Sequence, residues 1–271
     1  YLFLFLSGMW VFVLHIGGSE RAFLDPRMFL DRNFVTGLVF IFVVGIILLA
    51  SLALLPPMLA RIFNYPVMTT GLVMAPRGVG TMISMLVVGR LVRIVDPRLL
   101  VSVGLLLTAA SLWMMTGFSP QMDSRLIVLS GVVQGLGLGQ VFVPLSTVAF
   151  ATIAPGFRAD ATSLFSLVRN IGSSIGISLV TVVLTRNAQV SHADLGASIS
   201  SFNPNLTMLF PKPTLAQVGQ LDQLVNQQAL MIAYVNDFYL LMWVTLSALP
   251  LVFMLSRPVH GLAAPAAVHA D

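Results

Sequence analysis

Of the chain's 271 residues, 57% are hydrophobic and only 9% are charged, whereas a soluble domain carries roughly 25% charged residues. A water-soluble surface cannot be built from so little charge. Because apolar runs recur along nearly the whole length, a single signal peptide or anchor does not account for the mean hydropathy of +0.95. The 14 Lys and Arg exceed the 10 Asp and Glu, but 13 of them are Arg scattered singly, so no basic patch for nucleic acid forms, and with Cys 0 there is no disulfide or thiolate chemistry.

Seven stretches are long enough to cross roughly 30 Å of hydrocarbon as helices: 1–18, 34–57, 66–88, 98–118, 126–152, 161–185 and 231–256. The fold class expected is all-α and polytopic. The second stretch shows why: Phe34 to Leu55 holds sixteen Leu, Ile, Val or Phe residues and no charge, and at roughly −0.3 to −0.6 kcal/mol each its insertion is favourable by several kcal/mol. Within it Ile47 reads as lipid-facing. The chain begins at Tyr1, already inside an apolar run, which suggests a fragment.

Arginine distribution orients the spans. Arg21, Arg27 and Arg32 lie in the first loop and Arg90, Arg93 and Arg98 around the third, while the intervening loops carry Arg61 and Arg125. The positive-inside rule then makes the first, third and fifth loops and the tail cytoplasmic. The sixth loop, 186–230, falls outside. There Val190, Leu195 and Ile199, then Leu215, Val218, Leu221 and Val225, recur at helical spacing, and Thr214 with Gln217 forms a capping box. Two short amphipathic helices outside the membrane are expected, either covering the helix ends or docking a partner.

No pairing of residues supports an enzyme. An intramembrane Ser with its base, an Asp pair and an HExxH motif are all missing from the sequence, and the four His are isolated, so neither metal nor cofactor is expected. The fifth span concentrates Gly131, Gly135, Gly137 and Gly139 with Gln134, Gln140 and Pro144. Such glycines suit close helix packing, and the two glutamines suit a cavity-lining face; Pro144 frees a carbonyl and lets the helix bend. On the sixth span Ser163, Ser166, Asn170, Ser174, Ser178, Thr181 and Thr185 form one polar stripe, with Gly172 and Gly176 on the other side.

Arg77 is the one charge placed well inside a span, where a central Arg costs roughly 2.5 to 3.5 kcal/mol and should face a cavity or polar partner. No Asp or Glu reads as deep in any span. The third loop, GRLVRIVDPR over Gly89 to Arg98, carries Arg90 and Asp96. Those charges satisfy the topology rule and also suit an ion-paired latch that closes in one conformational state.

Several of these segments together resemble one family. LDPRMFLDRNF (24–34), MAPRGVG (74–80), the 89–98 loop, QGLGLGQVFVPLST (134–147), RNIGSSIG (169–176), FNP (202–204) and QALMIAYVNDF (228–238) resemble the C-terminal half of the fourteen-helix drug:proton antiporters of the major facilitator superfamily, the EmrB/QacA type. The resemblance implies an inter-domain transmembrane helix at 1–18, a cytoplasmic linker at 19–33, a C-terminal six-helix transporter domain at 34–256 and a cytoplasmic tail at 257–271. It implies alternating access in a bacterial inner membrane, with protons and hydrophobic compounds as cargo. Partners would be the lipid bilayer, the missing N-terminal half and, in many members, a periplasmic adaptor. The second and fifth spans would face the central cavity and the third and sixth the other domain, with Arg77, Gln134, Gln140 and Asn170 as cavity or interface candidates. Acidic coupling residues would lie mainly in the N-terminal half. A non-transporting scaffold or receptor-like module is the alternative.

Overall fold

A computed structural model describes residues 3, 7, 8, 10, 11, 26–199 and 214–254. The expected span 1–18 and the tail 257–271 therefore fall almost wholly outside the described residues. Six α-helices follow a short 3-10 turn, Pro26–Leu30: α1 Arg32–Ile62, α2 Val67–Leu91, α3 Pro97–Thr116, α4 Ser124–Ala151, α5 Arg158–Ser198 and α6 Leu215–Ser247. Among the described residues these six are long and apolar enough to cross a membrane. The protein is an all-α, polytopic membrane protein.

Polar side chains set the helix starts. Asp31 accepts hydrogen bonds from the backbone N–H groups of Asn33 and Phe34 at 2.8 and 3.2 Å, which starts α1. Asp96 accepts from Arg98 N at 3.0 Å, and Pro97 occupies the first turn of α3. The α1–α2 turn closes when Tyr65 N donates to Leu59 O at 3.1 Å, with Asn64 in the left-handed region at φ 52°.

Apolar side chains then fill two clusters. One contains Phe34, Phe40 and Ile41 of α1 with Leu105, Leu145 and Val148. The other contains Leu54 and Met58 with Leu112, Met115, Ile127, Tyr234 and Phe238. Ile47 is 2% exposed inside the second cluster, not on the lipid face. α1, α3 and α4 have half or more of their apolar windows buried, 56%, 50% and 50%, whereas α2 and α5 bury only 22% each. α2 and α5 therefore present broad free faces.

The 186–230 region differs from the expectation of two separate helices. Its first part, to Ser198, continues α5 without a break, and its last part, from Leu215, belongs to α6. No proline interrupts the chain between Arg158 and Ser198, so helical hydrogen bonding propagates past the apolar stretch. At 41 residues, α5 is about 60 Å long, roughly twice the hydrocarbon thickness. His192 Nε2 and Asp222 Oδ1, 3.4 Å apart, join the two extensions. The capping box is present: Thr214 Oγ1 accepts from Gln217 N at 3.4 Å, and Gln217 Oε1 accepts from Thr214 N at 2.9 Å. The two proline segments at 203–205 and 211–213 lie outside the described residues.

Candidate functional site

Glycine spacing on α4 creates the closest helix contact. A Cβ at Gly135 would strike the carbonyl oxygen of Arg77, and one at Gly139 would strike Ser84, so α2 lies directly on α4. Ser84 Oγ adds a 2.6 Å hydrogen bond to Leu136 O. On the opposite flank, Gly172 and Gly176 of α5 lie against the backbones of Phe42 and Ile46 of α1 in the same way. Pro144 is buried inside a continuous α4 and cannot donate to the carbonyl of Gln140.

This packing carries Arg77 into the bundle. Its side chain is buried, 7% exposed; Nη2 donates to Ser51 Oγ on α1 at 3.1 Å, and Nη1 has no partner among the described residues. Between α1 and α2 lies a groove of about 800 Å³ whose walls include Leu48, Leu52, Met74, Met82, Met85 and Leu138, with Arg77 among them. Flexible methionine side chains adapt to varied apolar shapes, and a buried guanidinium offers a hydrogen-bond donor that ordinary core packing leaves unused.

The other sequence candidates separate. Gln134 has no exposed surface, and neither its Oε1 nor its Nε2 has a partner among the described residues. Gln140 is half-buried against Gly104 of α3, about 120° around α4 from Gln134, so the two glutamines do not share a face. Asn170 is exposed on α5, in line with Ser174 and Ser178. There Ser174 Oγ and Thr181 Oγ1 donate to the carbonyls one turn back, at 3.1 and 2.7 Å, which leaves the stripe uncommitted to any other helix. A Cβ added at Gly131 would lie 3.6 Å from Arg77 Cβ, an ordinary packing distance. Gly89 and Arg90 are exposed at the end of α2, where the chain turns toward the Asp96 cap and the half-buried Arg98.

One residue was missed in the sequence. Asp237 has no exposed surface, and neither carboxylate oxygen has a hydrogen-bond partner among the described residues, so the expectation that no acid lies deep in a span is wrong. Counted from an apolar stretch beginning at 231, Asp237 looks close to the outer boundary. Yet Gln227 Nε2 donates to Ile62 O at the C-terminal end of α1 at 2.9 Å, and residue 237 is ten positions further along α6, about 15 Å further into the bundle. The polar run from Gln217 to Gln228 hides the continuity of that helix. Its signal was the capping box at Thr214, which marks the true helix start.

Six packed, membrane-length helices, with glycine-lined contacts joining α2 to α4 and α5 to α1, define a polytopic transporter-type domain. Residues 4–186 match the family model of the Major Facilitator Superfamily, and the chain belongs to that superfamily. It is similar to the multidrug export protein EmrB of Escherichia coli K12, 28% identical over 89% of this chain and 48% of that protein. It also resembles the probable multidrug resistance protein EmrY of the same organism, 31% identical over 69% of the chain and 36% of that protein. The fatty acid resistance protein FarB of Neisseria gonorrhoeae is 25% identical over 90% of the chain and 49% of that protein. These relatives place the chain in the EmrB-type branch. It spans about half the length of EmrB and FarB.

Proposed function

We propose that this chain supplies the C-terminal six-helix domain, with a preceding inter-domain helix, of a secondary efflux transporter in a bacterial cytoplasmic membrane. It exports hydrophobic drugs or metabolites by alternating access, driven by protons. The observation that carries this reading is the methionine-walled groove between α1 and α2, with the buried Arg77 in its wall. An apolar pocket with few polar groups suits hydrophobic small molecules. The names of the relatives, which concern multidrug export and fatty acid resistance, support the same substrate class.

The free faces of α2 and α5 support a second domain as partner. α5 presents the Asn170, Ser174 and Ser178 stripe, and α2 presents Leu72, Val79 and Leu86 beside the groove. An N-terminal half packed there would complete the cavity, with rocking of one half against the other giving alternating access. The α5–α6 extension beyond the membrane offers a surface for a periplasmic adaptor. Arg77 and Gln134 are proposed as cavity residues, Asn170 as an interface residue, and Gln140 as a helix-packing residue of α3 and α4.

The test is dye retention in an efflux-deficient bacterium expressing the full-length transporter that carries this chain. Retention is expected to fall with the proton-motive force intact and to recover when it is collapsed. Unchanged retention in both conditions would overturn the proposal.

A further inference from the structure

Ser51, Arg77, Gln134 and Asp237 occupy one depth of the bundle although they come from four helices. Arg77 reaches Ser51 directly, and Gly131 and Gly135, flanking Gln134, lie against Arg77. The Gln227 to Ile62 hydrogen bond fixes the register of α6 against α1, and from it Asp237 is ten residues inward and Ser51 eleven. Both are therefore about 15 to 17 Å from the outer end, near the middle of a hydrocarbon core of roughly 30 Å. Arg77 and Asp237 are the Lys, Arg, Asp or Glu side chains buried among the described residues.

The two are nevertheless not an ion pair. Arg77 spends its Nη2 on Ser51, and Asp237 accepts from nothing among the described residues. The helices packed on α6 are α1, α3 and α5. Their ionisable groups are Arg32 and Arg61 near the two ends of α1, Arg98 at the start of α3, and Arg158, Asp160, Arg169, Arg186, His192 and Asp194 on α5. None bonds to Asp237. On α6 itself Tyr234, one turn away, is equally buried, and its hydroxyl also lacks a partner. A carboxylate held in hydrocarbon without a cation or donor is too costly to persist, and such groups neutralise instead.

We propose that Asp237 is a proton-binding site of the transport cycle, occupied in the packing seen here. The carboxyl takes one proton from water on one side of the membrane. It returns that proton to water on the other side only when α6 and its neighbours open enough to hydrate the carboxylate. Arg77, at the same depth on the groove side, is the fixed charge of the layer, and Asp237 is the variable one. This role rests on the efflux reading for its purpose but not for its existence.

Infrared spectroscopy of the purified full-length transporter separates the two. The wild type is expected to show a protonated-carboxyl band at neutral pH that is missing in Asp237→Asn, whose side chain imitates the protonated acid in shape and hydrogen bonding. A wild-type spectrum identical to that of the variant would overturn the proposal. In vesicles, Asp237→Asn is expected to lose proton-driven export while keeping dye binding and dye exchange, and Asp237→Glu, which keeps a titratable carboxyl, to retain export. Export by Asp237→Asn at the wild-type rate would also overturn it. If the wild type exports no dye at all, the efflux reading fails, and the infrared band still decides whether Asp237 holds a proton.

Discussion

Arg77 on α2 donates to Ser51 on α1 across 3.1 Å, and this is the hydrogen bond recorded between these two otherwise loosely associated helices. Ser51 is fully buried and has its own hydroxyl committed to Leu48 O at 3.0 Å. Its oxygen is thereby oriented toward the guanidinium. Ser51→Ala removes the acceptor and is expected to destabilise the domain by about 1–3 kcal/mol, the usual cost of stranding a buried polar group. Arg77→Met removes the charge as well, and replacing a buried charge by an apolar side chain of similar length is often neutral or stabilising. Thermal unfolding in detergent should therefore rank Ser51→Ala below the wild type and Arg77→Met at or above it. Dye export should fail in Arg77→Met despite its stability.

Accessibility provides a second test of the same residue. A cysteine replacing Arg77 in the full-length transporter is expected to react with a membrane-impermeant thiol reagent faster than one replacing Trp113, which is exposed on α3. Equal labelling at both positions would mean that the groove holds no water.

Glycines divide into two groups by what a methyl would meet. At Gly135 it would strike the backbone carbonyl of Arg77, and at Gly172 that of Phe42. Neither obstacle can rotate away, so Gly135→Ala and Gly172→Ala are each expected to cost about 1–3 kcal/mol through overpacking. A methyl at Gly71 or Gly78 meets nothing within 4 Å, and alanine there should be neutral or stabilise α2 by up to about 1 kcal/mol through helix propensity. Melting temperatures of the four variants would check this division.

Much of this was legible in the sequence because bilayer insertion imposes a simple pattern. Sixteen branched or aromatic residues from Phe34 to Leu55 leave no alternative to a span, and a lone Arg77 in an apolar run must find a polar partner. What stayed hidden was relative placement. Gln134 and Gln140 look like one polar feature on paper, but six residues turn them onto different faces, one buried and one against Gly104. Asp237 was hidden for another reason: residues 217–228 are polar without breaking the helix, so composition places the membrane boundary where the backbone has no boundary at all. Apolar stretches report the solvent around a helix, and only hydrogen bonding reports where the helix ends.

That distinction predicts how the start of α6 behaves. The Thr214 and Gln217 side chains reciprocally satisfy backbone donors at the first turn. Thr214→Ala should cost about 1 kcal/mol, in line with other lost caps. Because the cap serves the first turn alone, the loss should remain local. Amide hydrogen exchange is expected to quicken over the first turns of α6, while protection around Tyr234 and Asp237 is unchanged.

Asp96 permits a cap and a latch to be told apart. Its carboxylate caps α3 through Arg98 N at 3.0 Å, and asparagine caps a helix about as well as aspartate whereas alanine does not. Asp96→Ala is therefore expected to lose about 1 kcal/mol of stability and Asp96→Asn to lose almost none. A purely structural cap would leave Asp96→Asn with wild-type export. The proposed conformational role, in which the charge of Asp96 works with Gly89, Arg90 and Arg98 as the halves rock, requires slower export from Asp96→Asn at unchanged stability and unchanged dye binding. Export rates in vesicles, measured beside melting temperatures, separate these outcomes, and normal export by a stable Asp96→Asn would leave Asp96 with the cap alone.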